Sequence, residues 1–113
     1  MVFESVRTYP VDVIGACVDT GHYLRSGRTP VEALRILGER VHGIHLKDFV
    51  DATTEVEPGT GRLSFPTFLD ALKRYTHFHS ALVFEYEAAP QDPTPPLASA
   101  ITRLQEHLHG EGA

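Results

Sequence analysis

An aspartate and a histidine stand three residues apart in VDTGHYLRSG (18–27), where an apolar run ends. The carboxylate of Asp19 and the imidazole of His22 could cap a helix, stabilise a turn, or supply part of a metal site. Taken alone, the stretch favours the turn, with the histidine in solvent. The metal interpretation requires further ligands from elsewhere in the chain.

Two later apolar runs also end in side chains that bind cations or transfer protons. VHGIHLKD (41–48) contains His45 and Lys47, and SALVFEYE (80–87) contains Glu85. Carboxylates and imidazoles are ligands of divalent metals, and glutamate is a common general base. The chemistry available therefore depends on whether the ends of the three runs meet.

Each of the three runs, beginning with VDVIGACVD (11–19), has the pattern of a short strand buried on both faces. Helices are predicted over RTPVEALRILGERV, LSFPTFLDALKRY and the segment 97–108. The apolar face of the last helix is formed by Leu97, Ile101, Leu104 and Leu108. Thr29 and Ser64 are expected to cap the first two helices, with Glu32 completing a capping box at the first. This β-α-β-α-β-α order predicts an α/β fold with a parallel sheet, whose functional site lies at the carboxyl ends of the strands.

Strand parity predicts which side chains share a face. Asp19, His45 and Glu85 are expected on one face, because side chains alternate along a strand. In a closed barrel that face is the interior, and its rim is the active site. The opposite faces are apolar and are expected to be covered by helices: Ile14, Ala16 and Val18; Ile44 and Leu46; Leu82 and Phe84.

Together, CVDTGH, VHGIHLKD, PGTGR and LVFEYE resemble, in order and separation, the C-terminal part of the xylose isomerase-like TIM barrels. This sugar phosphate isomerase/epimerase superfamily includes ketose 3-epimerases, inosose dehydratases and hydroxypyruvate isomerases. The resemblance implies a partial (β/α)8 TIM barrel, about its last three βα units. The chain is accordingly divided into an N-terminal remnant (1–10), a partial barrel domain (11–109) and a flexible tail (110–113).

The resemblance also implies a divalent cation, Mn²⁺, Mg²⁺, Co²⁺ or Zn²⁺, bound by Asp19, His45 and Glu85. Glu85 would also be one of two glutamates that exchange a proton beside a carbonyl, through an enediolate. His22 and Lys47 would contact the substrate, a sugar or sugar phosphate. The implied activity is that of a metal-dependent isomerase or epimerase in carbohydrate metabolism.

The second glutamate of such a site belongs on a strand before residue 11, where Glu4 lies in no comparable strand pattern. The chain alone is therefore expected to be inactive, and to be completed by a missing N-terminal barrel half or by homo-oligomerisation. Two alternatives remain. One is a non-catalytic, self-associating structural module, and the other is a zinc hydrolase resembling endonuclease IV.

Several residues have more than one interpretation. Glu87 has the same parity as Glu85 and is the alternative ligand, while Lys47 and Asp48 could form a simple ion pair. PGTGR (58–62) could present backbone N–H groups to a phosphate or form an ordinary turn. Cys17 is expected to fill the core. The other polar residues are expected in solvent: His42, His77, His79, His107, His109, Asp51, Glu55 and Glu57.

Composition limits the classes of function. The 113 residues carry a formal net charge of −5, without the basic stripe that nucleic-acid binding requires. No apolar segment is long enough to span a membrane. A single cysteine fits a reducing compartment, so a cytoplasmic location is expected.

Overall fold

The computed structural model describes residues 10–11 and 14–112. Glu4 and most of the segment before β1 lie outside the described residues. The elements follow one another in this order: β1 Ala16–Asp19, α1 Thr20–Arg25, α2 Pro30–Leu37, β2 Val41–Leu46, β3 Asp48–Phe49, β4 Glu55–Val56, α3 Phe65–Tyr75, β5 Val83–Phe84 and α4 Thr94–Gly112.

The three predicted strands form a parallel sheet in the order β1-β2-β5, which confirms the predicted α/β class. Asp19 lies opposite His45, and His45 lies opposite Val83. The first and third strands are shorter than the runs 11–19 and 80–87 that predicted them. Among the described residues β5 pairs only with β2, through the two residue pairs His45–Val83 and Leu46–Phe84.

Helices cover the apolar face of the sheet, as parity predicts. Val18, Ile44 and Leu46 are each 1% exposed and pack against Leu34 of α2 and Phe68 of α3 in one core. Burial of such apolar surface is the main source of stability in a small domain. The opposite face of the sheet carries the polar side chains.

The helix starts follow the predicted local signals. The side chain of Thr29 accepts a hydrogen bond from the N–H of Val31, and that of Ser64 accepts one from Thr67. The capping box is incomplete, because the carboxylate of Glu32 contacts Arg35 at 3.5 Å. Caps depend on neighbouring residues, which explains why sequence alone locates these starts.

The last helix does not pack on the predicted face. Leu104 is buried, as expected, but Ile101 and Leu108 are each 44% exposed. Ala100 is fully buried in their place. The backbone continues as helix to Gly112, within the segment predicted to be a flexible tail. The division into domains stays a prediction.

Three elements were not predicted: one helix, and two strands that form a hairpin. Helix α1 begins directly after β1, and the hairpin of β3 and β4 lies in the expected loop after the second strand. Both stand at the edge formed by the carboxyl ends of the strands, hereafter the carboxyl edge. None of the described helices combines the length and apolar character that a membrane span requires.

Candidate metal site

Asp19, His45 and Glu85 meet at the carboxyl edge. Each offers one ligand atom, and these atoms lie within 4.8 Å of one another. Nδ1 of His45 is 3.7 Å from Oε2 of Glu85. The convergence follows from the register, because Asp19 and His45 are paired residues and the N–H of Glu85 donates to the carbonyl of Leu46.

Thr20 fixes the end of β1 against the end of β2. Its buried hydroxyl donates to the carbonyl of Lys47 at 2.7 Å and accepts from the N–H of Lys47 at 2.9 Å. The ends of the two strands are therefore joined by side-chain as well as backbone hydrogen bonds. These hydrogen bonds hold Asp19 and His45 next to each other.

Asp19 takes one of the roles considered for it, that of a helix cap, and its other carboxylate oxygen stays available to the cluster. Its Oδ1 accepts from the N–H of Gly21 at 2.9 Å and so caps α1. Its Oδ2 lies 3.9 Å from Nε2 of His22. The His22 side chain is 79% exposed and stands beside the cluster rather than within it. Its role as a substrate contact stays a prediction.

Lys47 joins the cluster from the end of β2. Its Nζ lies 2.6 Å from Glu87, 3.6 Å from Glu55 and 3.8 Å from Glu85. Burial alone would lower the pKa of this ammonium. The hydrogen bond that the ammonium donates to Glu87 and the charges of the three glutamates outweigh burial and raise the pKa above its ordinary value. Lys47 is therefore a cation throughout the neutral range.

Glu85 and Glu87 occupy different positions. Glu85 belongs to the cluster of three ligand atoms. Glu87 is 73% exposed and bonds the Lys47 ammonium, which lowers the pKa of its carboxyl. This arrangement favours Glu85 as the ligand, although its role in metal binding and catalysis stays a prediction.

Asp48 has a role that the sequence did not reveal. Its carboxylate is 0% exposed and accepts hydrogen bonds from the backbone N–H groups of Phe49, Gly59, Gly61 and Leu63. The proposed ion pair with Lys47 is thus wrong. The N–H groups of Gly59 and Gly61 are directed at Asp48, so the structure contradicts their use as phosphate donors.

Glu55 and Glu57 were wrongly expected in solvent. The Glu55 side chain is 11% exposed and lies beside Lys47. Glu57 accepts from Nη2 of Arg103 on α4 at 2.7 Å. A local sign of the hairpin is the turn at Asp51, whose carboxylate accepts from the N–H groups of Thr53 and Thr54.

Cys17 is exposed rather than part of the core. Partial burial, followed by the charges of Asp19 and Glu85, raises the pKa of its thiol. Among the histidines, His107 is half-buried and its ring meets the edge of Phe65, contrary to expectation. The others expected in solvent and described by the structure are exposed: His42, His77 and His79.

The donor set fits a divalent cation. Two carboxylates and one imidazole suit Mn²⁺, Mg²⁺, Co²⁺ or Zn²⁺, and they do not select among these metals. All three side chains are partly exposed, so a cation could enter from solvent. Further ligands would have to come from water, substrate or another part of the protein.

Comparisons with known proteins agree with this fold. No curated protein matches the chain. The crystal structure of a xylose isomerase domain protein from Planctomyces limnophilus is similar, with a TM-score of 0.76 and 27% identity. The match covers 94% of this chain and 42% of that one. The family model for xylose isomerase-like TIM barrels matches residues 4–107. The chain therefore belongs to the xylose isomerase-like TIM barrel family.

Proposed function

We propose that this chain is the C-terminal portion of a divalent-metal-dependent isomerase or epimerase of sugars or sugar phosphates. The observation that carries the proposal is the convergence of Asp19, His45 and Glu85, from three separate strand ends, within 4.8 Å. Family membership supports the reaction class, since the family includes sugar isomerases and epimerases as well as endonuclease IV-like members. The lone Cys17 favours a reducing, cytoplasmic setting.

In the proposed reaction a proton moves on a carbon beside a carbonyl, through an enediolate. Glu85 exchanges this proton as one of two carboxylates. Its Oε1 lies 3.8 Å from Nζ of Lys47, so the charge of the ammonium attracts that oxygen. A bound divalent cation would supply Lewis-acid stabilisation of the substrate oxygens. Lys47 and His22 would hold further oxygens of the sugar.

The second carboxylate is assigned to the part of the barrel that precedes β1. The chain spans 42% of the related crystal structure, which leaves room for several further strands in a whole barrel. We therefore expect the chain alone to bind the metal but not to turn over ketoses. A missing N-terminal barrel half, or a second copy, would complete the site.

Titration of the chain with Mn²⁺, followed by calorimetry, tests the metal site. Asp19→Asn, His45→Gln and Glu85→Gln should each weaken Mn²⁺ binding by about tenfold or more, because each removes a ligand atom. Mn²⁺ at about ten times its dissociation constant should add about 1.4 kcal/mol to the free energy of unfolding.

The matched controls are Glu39→Gln and His77→Gln. These residues form an exposed carboxylate–imidazole pair, 4.0 Å apart, after the carboxyl ends of α2 and α3. Both variants should bind Mn²⁺ like the unmodified chain. Absence of Mn²⁺ binding, or equal weakening in the control variants, would contradict the proposal.

A further inference from the structure

The ammonium of Lys47 has partners of two kinds. Glu55, at 3.6 Å, is 11% exposed, whereas Glu87, at 2.6 Å, is 73% exposed. The Lys47 side chain itself is 13% exposed, so most of it is enclosed. One of these glutamates is therefore an enclosed partner and the other a surface partner of the same cation.

The hairpin of β3 and β4 holds Glu55 in place. Asp48 anchors the start of the hairpin, and the N–H of Val50 donates to the carbonyl of Thr54 across it. The Glu55 carboxylate also accepts from the backbone N–H of Glu87, at 3.2 and 3.3 Å. Glu55 is thus fixed by backbone contacts as well as by the lysine.

We infer that Glu55 is a positioning residue, which holds the Lys47 ammonium beside Glu85, and that Glu87 occupies the place of a substrate hydroxyl group. An ammonium has three N–H donors, so exchange of one partner leaves the other contacts in place. Release of an exposed carboxylate costs little, since exposed ion pairs contribute little stability. This inference rests on the proposed function, whose substrate is a sugar.

The net charge of the site indicates which class of sugar it binds. Among the described residues, Glu55, Glu85 and Glu87 surround the ammonium of Lys47. Asp19 adds a fourth carboxylate beside Glu85. An excess of negative charge remains even with a divalent cation bound. A phosphate group entering here would meet like charges, which disfavour its binding. The expected substrates are uncharged polyols and ketoses rather than sugar phosphates.

The experiment uses the Mn²⁺-loaded chain with xylitol, an uncharged polyol, and ribose 5-phosphate as probes. Relaxation of the probe protons by bound Mn²⁺, measured by NMR, reports binding at the metal. Glu55→Gln should weaken xylitol binding by about tenfold, because it removes the enclosed negative charge that holds the Lys47 ammonium in place. Glu87→Gln should strengthen it by about twofold, because a competing anion is removed.

Glu32→Gln is the matched control. Glu32 is 61% exposed on α2 and pairs with Arg35, so this variant loses the same charge without contact to Lys47. It should bind xylitol like the unmodified chain. The ratio of the affinity for xylitol to the affinity for Mn²⁺ distinguishes a positioning role from a general loss of structure, because unfolding lowers both affinities.

The outcomes separate this inference from the proposed function. If the unmodified chain does not bind Mn²⁺, the proposed function fails. If Mn²⁺ binds but xylitol does not approach it, or if ribose 5-phosphate binds more tightly than xylitol, the inference is overturned. A Glu55→Gln variant that behaves like Glu32→Gln would also overturn it.

Discussion

Asp48 shows how one buried side chain can organise the loop beside a candidate site. Its buried carboxylate receives four backbone N–H groups from both ends of the segment 49–63. Hydrogen bonds to an ionised acceptor are stronger than neutral ones. Within this segment, Glu55 lies beside Lys47 and Glu57 forms an ion pair with Arg103. Asp48 therefore determines the path of the loop beside the candidate site.

At the scale of single residues, Asp48→Asn should lower the free energy of unfolding by about 2–4 kcal/mol. An amide has one acceptor oxygen, so about two of the buried N–H groups lose their partner. Urea denaturation measures the change.

The control for this prediction is Asp51→Asn. Asp51 is exposed and accepts hydrogen bonds only within its own turn, so its replacement should cost less than about 1 kcal/mol. Equal effects of the two substitutions would show that the four N–H groups do not depend on Asp48.

At the scale of elements, helix α4 is oriented by contacts with the rest of the chain. Arg103 donates to the carbonyl of Pro58 at 2.8 Å and to the carboxylate of Glu57 at 2.7 Å. These bonds tie α4 to the loop that Asp48 holds. With Arg103 directed at this loop, Ala100 and Leu104 face the core, and Ile101 faces outward.

Two substitutions on α4 test this orientation. Leu104→Ala should lower the free energy of unfolding by about 2–4 kcal/mol, because it removes buried methyl groups and leaves a cavity. Ile101→Ala should change it by less than about 1 kcal/mol, since Ile101 is 44% exposed. Thermal unfolding of both variants gives the comparison, and a larger loss for Ile101→Ala would contradict the observed orientation.

At the scale of the whole molecule, the sheet has an open side. Among the described residues no strand pairs with the outer edge of β5, where Val83 is 48% exposed. Ile101 and Leu108 add exposed apolar surface on α4. Unpaired strand edges with apolar side chains promote association between chains.

Val83→Lys should therefore reduce self-association of the isolated chain. An inward or edge lysine disfavours strand pairing between copies, because its charge would have to be buried. Sedimentation velocity over a range of concentrations should show more monomer for the variant at each concentration, with little change in thermal unfolding. An unchanged distribution of species would show that this edge does not mediate association.

The sequence by itself determined the features that depend on local rules. Strand parity and the position of strand ends placed Asp19, His45 and Glu85 on one face of the carboxyl edge, because the alternation of side chains is a property of any strand. The caps at Thr29 and Ser64 likewise involve residues two or three positions away. The family resemblance and the α/β class followed from the same motifs and are confirmed.

The tertiary structure alone decided the partners of Asp48 and Glu55 and the buried face of α4. The hairpin in segment 48–56 has no periodic pattern, and its contacts join residues more than ten positions apart. The apolar residues of α4 allow more than one buried face, and Arg103 selects among them through a loop about 45 residues earlier. The partners of Asp48 and Glu55 and the buried face of α4 depend on which surfaces meet after folding. Local propensities do not encode these contacts.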